Sequence, residues 1–360
     1  MDRPYIEELR IQNYGCIRDE TFRFTPLHAL IGPNDSGKST VLRALRTVSY
    51  LLRQGSDEPE GRGLRQAITG RKTQGETRFE ASTRRDVWEV AFLPTAVYRY
   101  RSFSRILYRN DQPQHWSQSW PPDAALAEVA KRPAEDFVRA IQGTQLFHLE
   151  PDALRAAHAL IPDGQPLRFL DERGTGLPAL YDALIVRNLP AYMALSQELA
   201  KLFPSVQGIQ LTTPSPGTRG MGVKLTDGEF VPSELMSEGL LYYLAFAVLP
   251  HLEPTAMLLI EEPENGLHPA RIAEVMRVLR AISEKTQVII ATHSPLVVNE
   301  LRPDEVTVVT RSRETGTKAT LIKDTPGFEE RSKVYALGEL WLSYANGEDE
   351  APLLQGGPRP

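Results

Sequence analysis

Cysteine is almost missing from this chain of 360 residues: Cys16 stands alone, which excludes an internal disulfide and a metal site built from paired thiolates. Long hydrophobic runs are lacking too. The longest, residues 240–249, is too short to cross a bilayer and is closed by Pro250. The opening MDRPYIEELR has none of the apolar stretch that a secretion signal carries, so the expected compartment is the cytoplasm, with no membrane contact. Nor is positive charge in excess, since 41 Lys and Arg face 46 Asp and Glu for a net charge of -5. That balance offers nucleic acid no global attraction and leaves any binding to a local patch. Arg62, Arg65, Arg71, Lys72, Arg84 and Arg85 cluster enough to make one, though they read better as a solvated loop. What remains is an average globular composition, 41% hydrophobic and 24% charged, in a length suited to a body with a smaller second part.

Along the chain, residues 5–12 alternate apolar and polar, Phe22 and Phe24 repeat the alternation, and 27–31 is an apolar run ending at Gly32, so three strands are predicted. Val41, Leu42, Leu45, Val48 and Leu52 then fall at helical intervals, before a Gly- and charge-rich loop over 54–75. Short β-prone runs at 77–83, 87–92, 97–101 and 105–108 predict an antiparallel meander. A helix over 123–141 and a strand over 145–149 follow. Beyond 206, strands at 209–213, 222–225, 256–260, 287–292 and 305–310 alternate with helices at 238–249, 269–284 and near Val297, the pattern of an α/β fold with buried parallel strands. The expected plan is a lobe over 1–150, a helical insertion over 151–205, a second lobe over 206–345 and a tail over 346–360 too polar to pack.

The chemistry concentrates in four places. LIGPNDSGKST, residues 30–40, fits G-x-x-x-x-G-K-[ST], and it both follows an apolar strand and opens a helix. Glycines let successive backbone N–H groups curl around a phosphate while the helix start faces the same charge. Gly32, Pro33, Asn34, Asp35, Ser36, Gly37, Lys38, Ser39 and Thr40 are therefore the expected ATP contacts, with Lys38 neutralising phosphate oxygens and the Ser39 hydroxyl a magnesium ligand. In MLLIEEPENGLHP an apolar strand ends in Glu261 and Glu262. In a P-loop fold the first acid holds the metal and the second orients the attacking water; Glu261 stands where Asp is commoner and reaches one methylene further. IIATHSP sets His293 at the carboxyl end of another strand, where open α/β sheets place ligands, although a histidine taken alone is as readily packed or solvated. Ser237 and Gly239 open the helix before the acid pair, suited to a phosphate although, taken alone, they read as a plain N-cap. Tyr14 could stack on adenine or belong to the core.

Taken in order, IEELRIQNYGCI, LHALIGPNDSGKST, MSEGLL, MLLIEEPENGLHP and IIATHSP resemble the ABC-type ATPases of the RecF, SMC and OLD (overcoming lysogenisation defect) group over most of the chain. LFHLEPDALR is similar to a segment of RecF-like proteins, and DERGTGLPALYDALIVRN with LFPSVQGIQL to stand-alone and OLD-like members. The resemblance implies an α/β P-loop NTPase head of the ABC type, with an antiparallel β-subdomain and a helical insertion, that binds and hydrolyses ATP with Mg2+. It implies a homodimer around sandwiched ATP, in which Ser237 and Gly239 of one subunit touch the γ-phosphate held by the other. Glu262, His293 and Lys38 are then the catalytic set, Ser39 and Glu261 hold the metal, and Asn265 and Gly266 lie on the inter-subunit loop. Gln145 or Glu150 would couple nucleotide to the lobes. Three departures bear on function. No heptad array is present for SMC-type arms; the roughly 65 residues after His293 are too few for the OLD nuclease domain; and Asp35 and Ser36 replace the Asn-Gly common in RecF-type loops. The favoured reading is an ATP-driven switch for a separate effector protein, such as a phage-defence nuclease or toxin. The alternative is a RecF-like DNA-binding repair ATPase, and a transporter motor ranks third.

Overall fold

A strand covered on both faces reads as a near-continuous apolar run, and LHALI and QVIIAT, buried at every residue and interrupted only by His28, Gln287 and Thr292, pair in parallel inside one sheet. The computed structural model describes residues 4–53, 77–83, 86–92, 102–108, 139–141 and 143–345. The basic cluster, the loop at 54–75, the predicted strand at 97–101, most of the predicted helix at 123–141 and the tail at 346–360 lie outside the described residues.

From the N-terminus the order is β1 (Glu8–Tyr14), β2 (Ile17–Arg23), β3 (Leu27–Ile31), α1 (Lys38–Arg53), β4 (Thr77–Ser82), β5 (Asp86–Phe92), β6 (Ser102–Tyr108) and β7 (Gln145–Phe147). The middle of the chain forms α2 (Pro151–Arg155), β8 (His158–Ala159), α3 (Leu177–Arg187), α4 (Leu189–Leu202), β9 (Val206–Thr212), β10 (Thr218–Leu225), β11 (Phe230–Pro232) and α5 (Glu238–Val248). Then come β12 (Met257–Glu261), α6 (Pro269–Ser283), β13 (Gln287–Thr292), α7 (Pro295–Asn299), β14 (Val306–Ser312), β15 (Gly316–Leu321), α8 (Phe328–Arg331) and α9 (Leu337–Ala345). These elements divide between two compact units, one of Met1–Leu146, Thr255–Ile260 and Ser283–Pro360, the other of Phe147–Pro254 and Glu261–Ile282.

The first unit carries a six-stranded sheet, β15-β14-β3-β13-β12-β7, with β3 parallel to both of its neighbours. Its second sheet is five-stranded, β2-β1-β4-β5-β6, antiparallel throughout, and contains three strands of the predicted meander, those at 77–83, 87–92 and 105–108. Helix α1 contributes Val41, Leu42, Leu45 and Val48 to a core shared with Ile11, Phe22 and Phe79 of the antiparallel sheet and Leu30, Leu259 and Ile289 of the parallel one. Each such side chain contributes about 1.5–3 kcal/mol on burial. The N-terminus is pinned to this core by Gln287, whose amide accepts from Ile6 N at 3.1 Å and donates to Ile6 O at 2.8 Å. Of the two readings of Tyr14, the core one holds. Its ring is buried edge-on against Phe79 at 5.2 Å, and its hydroxyl, raised in pKa by burial, shares a hydrogen bond with Thr47 at 3.1 Å. Aromatic area of that size is worth more in the core than at a rim.

In the second unit β10 is central, flanked by β9 and β11 and touched by β8, all antiparallel. Asn188 ends α3 and starts α4, its side chain accepting Ala191 N at 3.2 Å. The Tyr192 hydroxyl donates to Ile209 O at 2.8 Å and fixes α4 on β9, while Arg219 pairs with Asp182 at 2.5 Å and fixes α3 on β10. Helix α5 is buried from Leu240 to Val248, as its unbroken apolar sequence requires. Residues 151–205 thus form α2, β8, α3 and α4 within a larger unit.

Candidate nucleotide site

Between β3 and α1, residues 32–37 fold into a loop that the sequence shapes at two points. Asp35 has φ 64° and Gly37 has φ 112°, the left-handed region that Gly, Asn and Asp tolerate best. Alternating such residues with ordinary ones turns backbone N–H groups to one side and makes an anion-binding concavity. Close approach is required elsewhere in the loop. A Cβ on Gly32 would lie 2.1 Å from Val309 O, and one on Gly37 would lie 2.8 Å from the Thr317 hydroxyl and 2.9 Å from Cys16 Sγ. Strands β14 and β15 therefore brace the loop, helped by Thr317 Oγ1 donating to Ser36 O at 2.9 Å and Arg311 to Asp35 O at 3.3 Å. Lys38 is buried, and its ammonium donates to Gly32 O at 2.7 Å and Pro33 O at 2.8 Å across the mouth of the same loop. Asn34 and Asp35 are exposed, Ser39 and Thr40 half-buried.

His293 belongs to this site by register. Thr292 of β13 pairs with Ile31 of β3, so His293 and Gly32 leave adjacent parallel strands at the same end. The turn that follows is set by Thr292, whose hydroxyl accepts Ser294 N at 2.9 Å. His293 is exposed there.

In the second unit the acid pair has distinct partners. Glu261, last residue of β12, has one carboxylate oxygen 3.1 Å from His148 Nδ1, and its side chain is 10% exposed. Glu262 sits at φ 48°, an uncommon conformation for its type, and its carboxylate accepts from the Asn265 amide at 2.7 Å. Strain of that kind gathers at functional positions. Ser237 caps α5 by accepting Leu240 N at 3.4 Å while remaining exposed. Gly239 packs on the loop after the acids, where a Cβ would lie 2.7 Å from Gly266 O. Gln145 lies in β7 and Glu150 pairs with Arg173 at 2.7 Å, whereas His148, between them, reaches Glu261.

Whether these residues suit ATP and magnesium can be tested on two atoms. Ser36 Oγ and Glu261 Oε1 are buried with no hydrogen-bond partner among the described residues, and such atoms cost free energy unless something answers them. Both belong to the expected set. No group of three or more His, Cys, Asp or Glu among the described residues forms a protein cage for a metal. Magnesium commonly relies on one or two protein groups with phosphate oxygens and water rather than on such a cage.

A family model described as "AAA domain, putative AbiEii toxin, Type IV TA system" matches residues 27–299, from β3 through the acid pair and His293. Among solved structures, the chain is similar to an SmcHead bound to the C-winged helix domain of ScpA, at 17% identity and a TM-score of 0.54, over 88% of this chain and 98% of that one. An Smc head domain with an extended coiled coil, bound to the C-terminal domain of ScpA derived from Pyrococcus furiosus, matches at 15% identity and a TM-score of 0.49, covering 92% and 100%. The SMC head domain from Thermotoga maritima matches at 14% identity and 0.44, covering 88% and 98%. No curated protein matches. At such identities the first likeness is one of fold: a P-loop NTPase head, as the sequence predicts. No helix among the described residues is long and apolar enough to cross a membrane.

Proposed function

We propose, on the premise that this chain belongs to that AAA-domain family and is an ABC-type P-loop ATPase of the SMC/RecF group, that it binds and hydrolyses ATP and works as a switch for a separate effector. The observation that carries the reading is the loop at 32–38: left-handed backbone at Asp35 and Gly37, a buried lysine at its mouth, and His293 beside Gly32 in register.

In this reading the loop's backbone N–H groups hold the phosphates and Lys38 neutralises the β- and γ-oxygens. Magnesium, when bound, neutralises the charge that grows on the transferred phosphoryl oxygens. Ser39 and Glu261 hold it. Glu262 orients the attacking water and accepts its proton, with the Asn265 amide fixing the carboxylate. His293 contacts the γ-phosphate. Ser237 and Gly239 of a second copy close the site, so that hydrolysis needs a homodimer that forms with ATP and opens after turnover. The family's description as a toxin of a TA system supports a two-protein setting, and the SmcHead seen with a domain of ScpA supports an ABC head as a docking platform.

The test is Glu262→Gln, which keeps charge-independent binding but removes the base. Light scattering should find this variant dimeric in saturating ATP and monomeric without it, with phosphate release lost. A chain that stays monomeric in ATP sinks the switch.

A further inference from the structure

Glu261 carries one more rotatable bond than the aspartate commoner at its position, so its carboxylate has more freedom to lose when it takes up a ligand. Something should hold it. The residue in place is His148, whose imidazole Nδ1 lies 3.1 Å from Glu261 Oε2. The two side chains differ sharply in exposure, 49% for the histidine and 10% for the glutamate, so the ring covers a carboxylate that is otherwise nearly enclosed. With Oε2 taken by the ring, Oε1 is the oxygen left without a partner.

His148 is itself held. Its backbone N–H donates to Glu172 O at 2.8 Å, and two residues on Glu150 N donates to Arg173 O at 3.0 Å. Those two carbonyls belong to a turn closed by Asp171, which accepts Arg173 N at 3.0 Å, Thr175 N at 3.1 Å and the Thr175 hydroxyl at 2.7 Å. Burial acts to raise the Asp171 pKa, but these bonds outweigh it and lower it, keeping the carboxylate charged. From the other side the Tyr242 hydroxyl of α5 donates to Leu149 O at 3.2 Å. The DERGTG segment, which carries no chemistry of its own in the mechanism, thus acts as the brace that fixes where the imidazole stands.

We propose that His148 is a positioning residue for the metal: by holding Oε2 of Glu261 it presents Oε1 to magnesium, as partners behind a metal ligand do elsewhere. This rests on the reading of Glu261 as a metal ligand. His148→Phe removes the N–H and keeps the ring volume; His148→Asn keeps an N–H donor near the Nδ1 position. The affinity of each protein for a fluorescent, non-hydrolysable ATP analogue is measured in EDTA and again in saturating Mn2+, and the ratio is the metal enhancement. That ratio does not depend on the fraction of protein that is folded. His148→Phe should lower it by about 10-fold or more, with affinity in EDTA unchanged, and His148→Asn should restore most of it. Equal enhancement in the unaltered chain and His148→Phe overturns the assignment, as does a loss in His148→Asn as deep as in His148→Phe. Tight binding in EDTA with no enhancement in the unaltered chain overturns the metal role of Glu261 and this assignment together.

Discussion

Two buried basic residues of the first unit do opposite work. Lys38 spans the phosphate loop, its ammonium donating to Gly32 O and Pro33 O, and hydrogen bonds to charged groups are worth about 1.5–3 kcal/mol each. Lys38→Ala should therefore lower ATP affinity by roughly 100-fold or more, and calorimetry that finds affinity unchanged would refute the assignment of the loop. His28 is fully buried, 2.9 Å from the Thr307 hydroxyl and 3.2 Å from that of Thr25. Burial lowers its pKa from 6.5 to about 3, against a smaller upward pull from Glu305. The unfolded chain takes up that proton first, so the stabilisation is full above pH 6.5 and drains as pH falls toward 3. His28→Gln keeps a donor toward Thr307 without the titration. Its melting temperature should fall less steeply than the parent's between pH 7 and pH 4, and parallel curves would remove His28 from the account.

Among the elements, Gly239 at the start of α5 lies against the loop after the acid pair, and the atom it would meet is backbone, Gly266 O at 2.7 Å. Neither side can yield by rotating a side chain. Gly239→Ala should cost about 1–3 kcal/mol of stability, read as a shift in the urea midpoint, with ATP turnover falling alongside. A variant as stable as its parent would mean the contact is loose. How far such elements are legible in the sequence depends on burial. Strand β3 and β13 match their predicted limits because both faces are covered and the runs are apolar but for His28, Gln287 and Thr292. Strand β15, GTKATL, was not predicted, since an edge strand paired only to β14 needs no apolar run. The phosphate loop, the acid pair and His293 could be read because each follows a recognisable strand. His148 could not, because its partner in space lies far along the chain and only the folded unit brings them together. Tyr14 stayed open between two readings for the converse reason, as its type suits both a core and a base-stacking face, and it lies in the core.

At the scale of the whole molecule, the net charge of -5 sets the expectation for nucleic acid. A gel shift with duplex DNA, with and without ATP, should show no retention at physiological salt. Retention that weakens steeply as salt rises would favour the repair reading, because each neutralised phosphate releases counterions. The bracing of the phosphate loop also governs how the molecule is made. Ser36 is held by Thr317, 281 positions later, and Gly32 abuts Val309. During synthesis the ribosome must therefore have released the chain through β15 before the cradle acquires its rear wall. A nascent fragment that stops short of β14 carries the complete nucleotide motif and should still fail to retain ATP, so that only a chain extending through β15 can enter the switch.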